Sequence, residues 1–297
     1  MHLGIDIGGT KTDVVLTDAA GAVRQRRRVA SGKGNEAVVA ALLSAVDRVC
    51  DGAQIEMSDV ETIGVGVPGA VKDGVVTHAY NLEITELDVR KVLRAHWEVT
   101  PVIDNDVNVA ALGAWVLTGT PLQSMAFLNL GTGLAAGIVL DGKVWRGGRG
   151  AAGEIGHIAV DPAGPVDADG TPGTLETYAS GSGMVRQWGV PTTAEDVLWA
   201  ATMGDPAAEI IRDRLFYGVA AAVRVLVLTL DVDEVVLGGG LTKWGEPLMT
   251  GTLGVLEQWQ ARSAFLESLR LSERVRVLKT DEPVAAIGAA MMGAGRG

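Results

Sequence analysis

The chain has 297 residues, 47% of them hydrophobic, with 40 glycines and a net charge of −11. That length and apolar content suffice for two buried cores, a single barrel being the competing arrangement. The acidic balance, with a pI near 4.9, argues against nucleic acid and anionic membrane as partners, and the single cysteine, Cys50, excludes a disulfide framework and a Cys-based zinc site and fits a reducing cytoplasm.

The chain enters a strand at once, with no basic and apolar leader, so no signal peptide is expected. Residues 3–16 read as strand, tight polar turn and strand, the turn running from Asp6 to Lys11. Gly8 and Gly9 permit positive φ and leave no Cβ in the way of an anion, while Thr10 and Lys11 add a hydroxyl and an ammonium. An ordinary hairpin is one reading; a cradle for phosphate, with the Asp6 carboxylate near its Mg²⁺, is the other. The segment is neither a GxxxxGK[ST] loop nor a GxGxxG fingerprint, which argues against those nucleotide folds.

Residues 22–29 look like a third strand, in which the alternating basic run from Arg24 to Arg28 suits a solvated edge. An amphipathic helix over 35–50 and a buried strand over 62–67, running into Pro68-Gly69, complete half of a mixed α/β domain. A helix over 87–97, a short strand at 102–103 and an alanine-rich helix over 107–117 follow. The junction Asp104-Asn105-Asp106-Val107-Asn108 sets two carboxylates and two amides where strand gives way to helix. Ligands of open α/β sheets collect there; helix capping is the plainer reading.

Strands over 126–130 and 135–140 flank a second glycine turn, Gly131-Thr132-Gly133, which repeats the opening architecture and implies two related halves. Residues 145–183 are glycine-rich and irregular, and hold Glu154, His157 and Glu176, a set suited to polyol hydrogen bonding. Helices over 193–201 and 206–230 lead to a strand at 235–237 that ends in Gly238-Gly239-Gly240. A helix over 245–260, a strand over 274–278 and a helix over 284–292 finish the chain, with a frayed tail after Met292. The apolar run 219–230 contains Arg224 and is too short to span a bilayer.

Seven segments in order, Asp-Ile-Gly-Gly-Thr-Lys (6–11), Gly-Val-Pro-Gly (66–69), Asn-Asp-Val-Asn (105–108), Gly-Thr-Gly (131–133), Glu-Ile-Gly-His (154–157), Leu-Glu-Thr-Tyr-Ala-Ser-Gly (175–181) and Leu-Gly-Gly-Gly (237–240), resemble the ROK family of repressors, open reading frames and sugar kinases. The resemblance implies the two-domain α/β actin-like/hexokinase-like (ribonuclease H-like) ATPase fold. A smaller domain of residues 1–117 and 283–297 and a larger one of 118–282 would flank the active site. It further implies ATP-dependent phosphorylation of the hydroxymethyl of a hexose, glucose first. Fructose, an N-acetylhexosamine, a polyphosphate donor and a sugar sensor without turnover stand as alternatives. The family's repressors carry a preceding helix-turn-helix; a start at the first strand favours the kinase branch.

By the same resemblance Asp106 is the catalytic base, and Gly69, Asn81, Asn105, Asp106, Glu154, His157 and Glu176 bind the sugar. Asp6, Gly8, Gly9, Thr10, Lys11, Gly131, Thr132, Gly133, Gly238 and Gly239 serve ATP, with Asp6 positioning Mg²⁺ through phosphates or water. Family members are commonly homodimers. Many hold a structural zinc with the His at 157 and a trio of cysteines; here Asp167, Asp169 and Thr174 fall at the cysteine positions. Zinc favours sulfur and nitrogen donors, so no zinc is expected, although Gly170 and Gly173 keep their places in the loop.

Overall fold

The computed structural model describes residues 1–119, 123–278 and 281–297. It divides into two units, one of residues 1–121, 139–145 and 280–297, the other of 122–138 and 146–279.

In the first unit β1 (His2–Ile7), β2 (Lys11–Thr17), β3 (Val23–Ala30), β4 (Thr62–Val67) and β8 (Val102–Asn105) form one sheet, in the order β3-β2-β1-β4-β8. The interior strand β4 reads Thr-Ile-Gly-Val-Gly-Val with no polar residue after Thr62, as expected where both faces are covered. Helix α1 (Gly34–Ala53) turns Val38, Leu42, Val46 and Val49 into a core with Leu3, Ile5, Ile7 and Val65. Strand β3 is an edge, but two of its arginines face a carboxylate, as described below.

Between β4 and β8 lie β5 (Ala70–Lys72), β6 (Val75–Ala79) and β7 (Ile84–Asp88), a small antiparallel sheet that the sequence patterns do not reveal. Pairing of Leu87 with Val76 and Asp88 with Val75 claims the first residues of the expected helix. Helix α2 is therefore Val89–Trp97, with Asp88 as its N-cap accepting from the Lys91 amide at 2.8 Å. Helix α3 (Asp106–Thr118) follows β8 directly.

The second sheet has the order β11-β10-β9-β12-β13, from β9 (Ser124–Leu130), β10 (Leu134–Leu140), β11 (Lys143–Val144), β12 (Glu234–Gly238) and β13 (Val275–Val277). A hairpin followed by two parallel additions on the same side is the plan of both sheets, so the repeat legible in the two glycine turns is a repeat of topology. The region expected to be irregular contains α4 (Leu175–Ala179), and α5 (Gly181–Trp188) already begins within it. Helices α6 (Ala194–Thr202), α7 (Pro206–Leu230), α8 (Glu246–Ala261) and α9 (Ala264–Ser268) complete this unit, α7 burying Leu215, Val219, Val223 and Leu226 in its core.

The last helix, α10 (Val284–Gly293), returns to the first unit. It packs backbone to backbone: a Cβ at Gly4 would stand 1.9 Å from the Ala286 carbonyl oxygen, and one at Gly64 1.8 Å from that of Ala289. The chain beyond it is not frayed. The amides of Ala294, Gly295 and Arg296 donate to the carbonyls of Ala290, Met292 and Met291, each at 3.0 Å, which closes the helix C-terminus.

Candidate active site

In the β1–β2 turn the Gly8 amide donates to the Lys11 carbonyl at 3.0 Å. Neither Gly8 nor Gly9 adopts positive φ; both are needed for space. A Cβ at Gly8 would lie 2.9 Å from the Lys11 oxygen, and one at Gly9 3.0 Å from the Asn81 Cβ. The turn thus brings Asn81 against Gly9, and the Asn81 carbonyl also accepts from the Lys33 ammonium. Thr10 and Lys11 are exposed.

Strand register places Arg28, Asp13, Asp6, Gly66 and Asp104 in one row across the sheet. Asp13 accepts from Arg26 Nε at 2.9 Å with one oxygen and from Arg28 Nε at 2.7 Å with the other. Burial, then the Asp106 and Asp13 carboxylates, push Asp6 up to about 7 against the opposing pull of Arg28. Both oxygens of Asp13 are taken by arginines, and the charged form of Asp6, costly by itself, is one that a cation would stabilise. One or two carboxylates with substrate oxygens and water are what Mg²⁺ ordinarily uses, so the residues present fit that ion.

At the β8–α3 junction the two acids have different surroundings. Asp104 is buried, and its Oδ1 accepts from the Asn105 amide at 2.7 Å and from Asn108 Nδ2 at 2.8 Å. Asn105 is the N-cap of α3, accepting from the Val107 amide at 2.8 Å, while its Nδ2 donates to the Gly69 carbonyl at 3.3 Å. Gly69 is held at φ +96°, with its α-carbon turned toward the Thr77 carbonyl, where a Cβ would come within 2.5 Å. Asp106 occupies the first turn of α3, where the helix dipole favours its negative charge; it accepts from the Val107 amide at 3.0 Å.

In the second unit the Gly131-Thr132-Gly133 turn is tied to its neighbours through its own carbonyls. Gly181 and Ser182, the first residues of α5, donate to the Gly131 and Thr132 oxygens at 2.9 and 3.0 Å. Glu176, in the first turn of α4, accepts from the Leu134 amide at 2.9 Å, and a Cβ at Gly133 would meet its Oε2 at 2.8 Å. The 3₁₀ turn Ile155–His157 packs on the same strand end, since a Cβ at Gly156 would lie 2.3 Å from the Leu134 carbonyl and 3.3 Å from the Glu176 Cβ. Glu154 and His157, on either side, are exposed. The turn that carries Glu154 and His157 thus packs against Glu176.

The glycine turn also lines a cavity of about 500 Å³, together with Ser182, Val185, Glu195 and Gly240. Glu195, Gly240 and Leu241 also line a mainly apolar cavity of about 270 Å³, closed by Leu198, Trp199, Lys243 and Trp244. Trp199 is 67% exposed. Gly238 and Gly239 line neither cavity: a Cβ at Gly238 would strike the Phe127 ring at 2.2 Å, and one at Gly239 the Leu130 carbonyl at 2.5 Å. Gly240, with nothing within 4 Å of its missing Cβ, is the open one. Sequence patterns miss Glu195 and both tryptophans because they read as one face of a helix and a connecting loop.

The residues at the zinc-motif positions have other employment. Asp167 Oδ1 accepts from the Asp169 and Thr171 amides at 2.9 and 2.8 Å, and these bonds hold its carboxyl below the usual range. The Thr174 hydroxyl caps α4 and pairs with that of Thr177 at 2.9 Å. Among the described residues no cluster of three His, Cys, Asp or Glu has the makings of a metal site, and this donor set does not fit zinc.

Residues 2–294 match the ROK family. The chain is 32% identical over 273 residues to a glucokinase of Halalkalibacterium halodurans, covering 84% of this chain and 82% of that one. A ROK hexokinase from Thermus thermophilus superposes with a TM-score of 0.82 at 28% identity, covering 99% and 97% of the two chains. A ROK family glucokinase from Streptomyces griseus, in complex with glucose and AMPPNP, does so with a TM-score of 0.75 at 27% identity, covering 99% of each. Two repeated sheets with a glycine-turn hairpin in each, and a match that runs almost from end to end, make one statement: this chain has the actin-like ATPase fold and belongs to the ROK family.

Proposed function

We propose that the protein transfers the γ-phosphoryl group of ATP to the hydroxymethyl of a hexose, glucose in the first place. The observation that carries this reading is the β8–α3 junction. Asp104 accepts from the Asn105 amide and from Asn108, and Asn105 caps α3 and donates to Gly69; these bonds fix the helix turn on which Asp106 serves as the base. In the reaction Asp106 accepts the proton of the sugar hydroxyl while that oxygen attacks the γ-phosphorus and ADP leaves. By the family resemblance, the sugar hydroxyls fall to Gly69, Asn81, Asn105, Glu154, His157 and Glu176. Gly8 to Lys11 and Gly131 to Gly133 hold the phosphates. Mg²⁺, near Asp6, supplies charge neutralisation on the phosphate oxygens when bound.

The two adjoining cavities favour a nucleotide over polyphosphate as donor. They run from the Thr132 turn past Glu195 to an apolar recess with two tryptophans, a succession that matches phosphate, ribose and base. The resemblance carries a cytoplasmic homodimer with this reading, and the net charge of −11 agrees with small-molecule partners. The test is ADP release with Mg-ATP, and with polyphosphate in its place, over a panel of hexoses and N-acetylhexosamines. Turnover of glucose with ATP is expected, and Asp106→Ala should lower kcat by about 10²–10⁴-fold. Wild-type turnover in that variant would remove Asp106 from the role of base.

A further inference from the structure

Within residues 158–174 the backbone doubles back on itself. Ala159 pairs antiparallel with Thr174, the Val160 amide donates to the Gly173 carbonyl at 2.8 Å, and the Leu175 amide donates to that of Ile158 at 2.9 Å. Continued by two residues, this register carries His157 toward Glu176. We propose that a hydrogen bond from Tyr178 to Asp161 is a metal-independent staple that positions His157 and Glu176 for the sugar. The positioning role rests on the sugar-binding reading of those two residues; the staple itself does not.

Tyr178 is 4% exposed, and its hydroxyl donates to Asp161 Oδ2 at 2.8 Å. The other oxygen of Asp161 accepts from the Ala163 amide at 2.9 Å, and its carbonyl accepts from the Gly164 amide at 3.0 Å. Two glycines let the loop close around this pair. A Cβ at Gly164 would stand 2.5 Å from the Tyr178 hydroxyl, and one at Gly173 1.9 Å from the Asp161 carbonyl.

Behind Tyr178 the helices are tied together. Gln187 Nε2 donates to the Thr177 carbonyl at 2.7 Å, and Arg214 of α7 donates to Gln187 Oε1 at 3.0 Å. Burial and the bond to Asp161 push the phenol up to about 12, and the same bond holds Asp161 below the usual carboxylate range, so the proton stays on the tyrosine through neutral pH. One end of the loop is thus anchored to a helix that is itself braced on α7, through a tyrosine and an aspartate that stand at none of the zinc-motif positions.

Hydrogen exchange and kinetics of Tyr178→Phe and Asp161→Ala test this, with wild type dialysed against EDTA beside them. Loss of a hydrogen bond to a charged acceptor should speed exchange of the Val160, Gly173 and Leu175 amides by about tenfold or more. Exchange in the first unit should not change, and EDTA should have no effect on wild type. The KM for the sugar should rise by about tenfold with that for ATP unchanged, a split that general destabilisation does not produce. Unchanged exchange in both variants, or faster exchange in EDTA-treated wild type, would overturn the staple. Faster exchange with an unmoved sugar KM would overturn the positioning. If no hexose is turned over, the kinase reading fails while the exchange result still decides the staple.

Discussion

Substituting Gly113 by alanine tests how α10 holds the helix that carries Asp106. A Cβ at Gly113 would lie 1.8 Å from the Val284 carbonyl oxygen, and one at Gly288 would lie 1.8 Å from that of Val109, so α3 and α10 meet through backbone on both sides. Ordinary contact begins at 3.4 Å, so the backbones must part by 3.4 minus 1.8, or about 1.6 Å, which a close-packed interface does not absorb locally. Overpacking of this kind costs about 1–3 kcal/mol, occasionally more. The helix-propensity gain of about 1 kcal/mol for Gly→Ala offsets part of it. At the upper end of that range the net loss is about 2 kcal/mol, a fall in Tm of about 4–8 °C for units of this size. Gly254, in α8, has nothing within 4 Å of its missing Cβ, so Gly254→Ala keeps the propensity gain alone and should be neutral or stabilising. Thermal unfolding followed by circular dichroism compares the two. Equal Tm values for Gly113→Ala and Gly254→Ala would refute the close approach of α3 and α10.

Asp6 should make stability and substrate binding depend on pH. Its folded-state value of about 7 lies well above the ordinary aspartate range, so the folded state holds a proton that the unfolded chain has released, and stability falls as pH rises from about 4 to about 7. Urea titrations of wild type and Asp6→Asn should show this slope in wild type and a flatter one in the variant; parallel slopes would reject the buried charge. Since the same proton competes with a cation, the KM for Mg-ATP in wild type should fall between pH 6 and 8. Trp199→Ala should raise the KM for ATP by up to about tenfold by removing an aromatic face, whereas an unchanged value would place the base elsewhere. Thr193 and Asp196 form the capping box of α6, so Thr193→Ala should cost about 1 kcal/mol in denaturant unfolding, and no loss would mean that packing alone holds that helix.

Most of the regular structure was legible because its signals are local. The strand at 62–67 and the helix at 206–230 begin and end where their apolar patterns and the Asp205-Pro206 cap place them. The recurrence of strand, glycine turn and strand anticipated two sheets of one topology. The strands over 70–88 escaped because they are short, because β6 contains the left-handed His78, and because left-handed Asp73 and Glu83 stand in the connections, a conformation that side-chain patterns do not announce.

The sequence by itself determined which residue types stand at the ends of strands: carboxylates and amides at 104–108, glycines at 8–9 and 131–133, and a loop without zinc-binding sulfur. Only the tertiary structure decided which neighbours the groups of the junction bond to, and that Gly8, Gly9 and Gly133 are needed for space. It also turned Gly238 and Gly239 to packing while leaving Gly240 open, and brought Tyr178 to Asp161. Those outcomes depend on partners far apart along the chain, which meet only once strand register and helix packing are set.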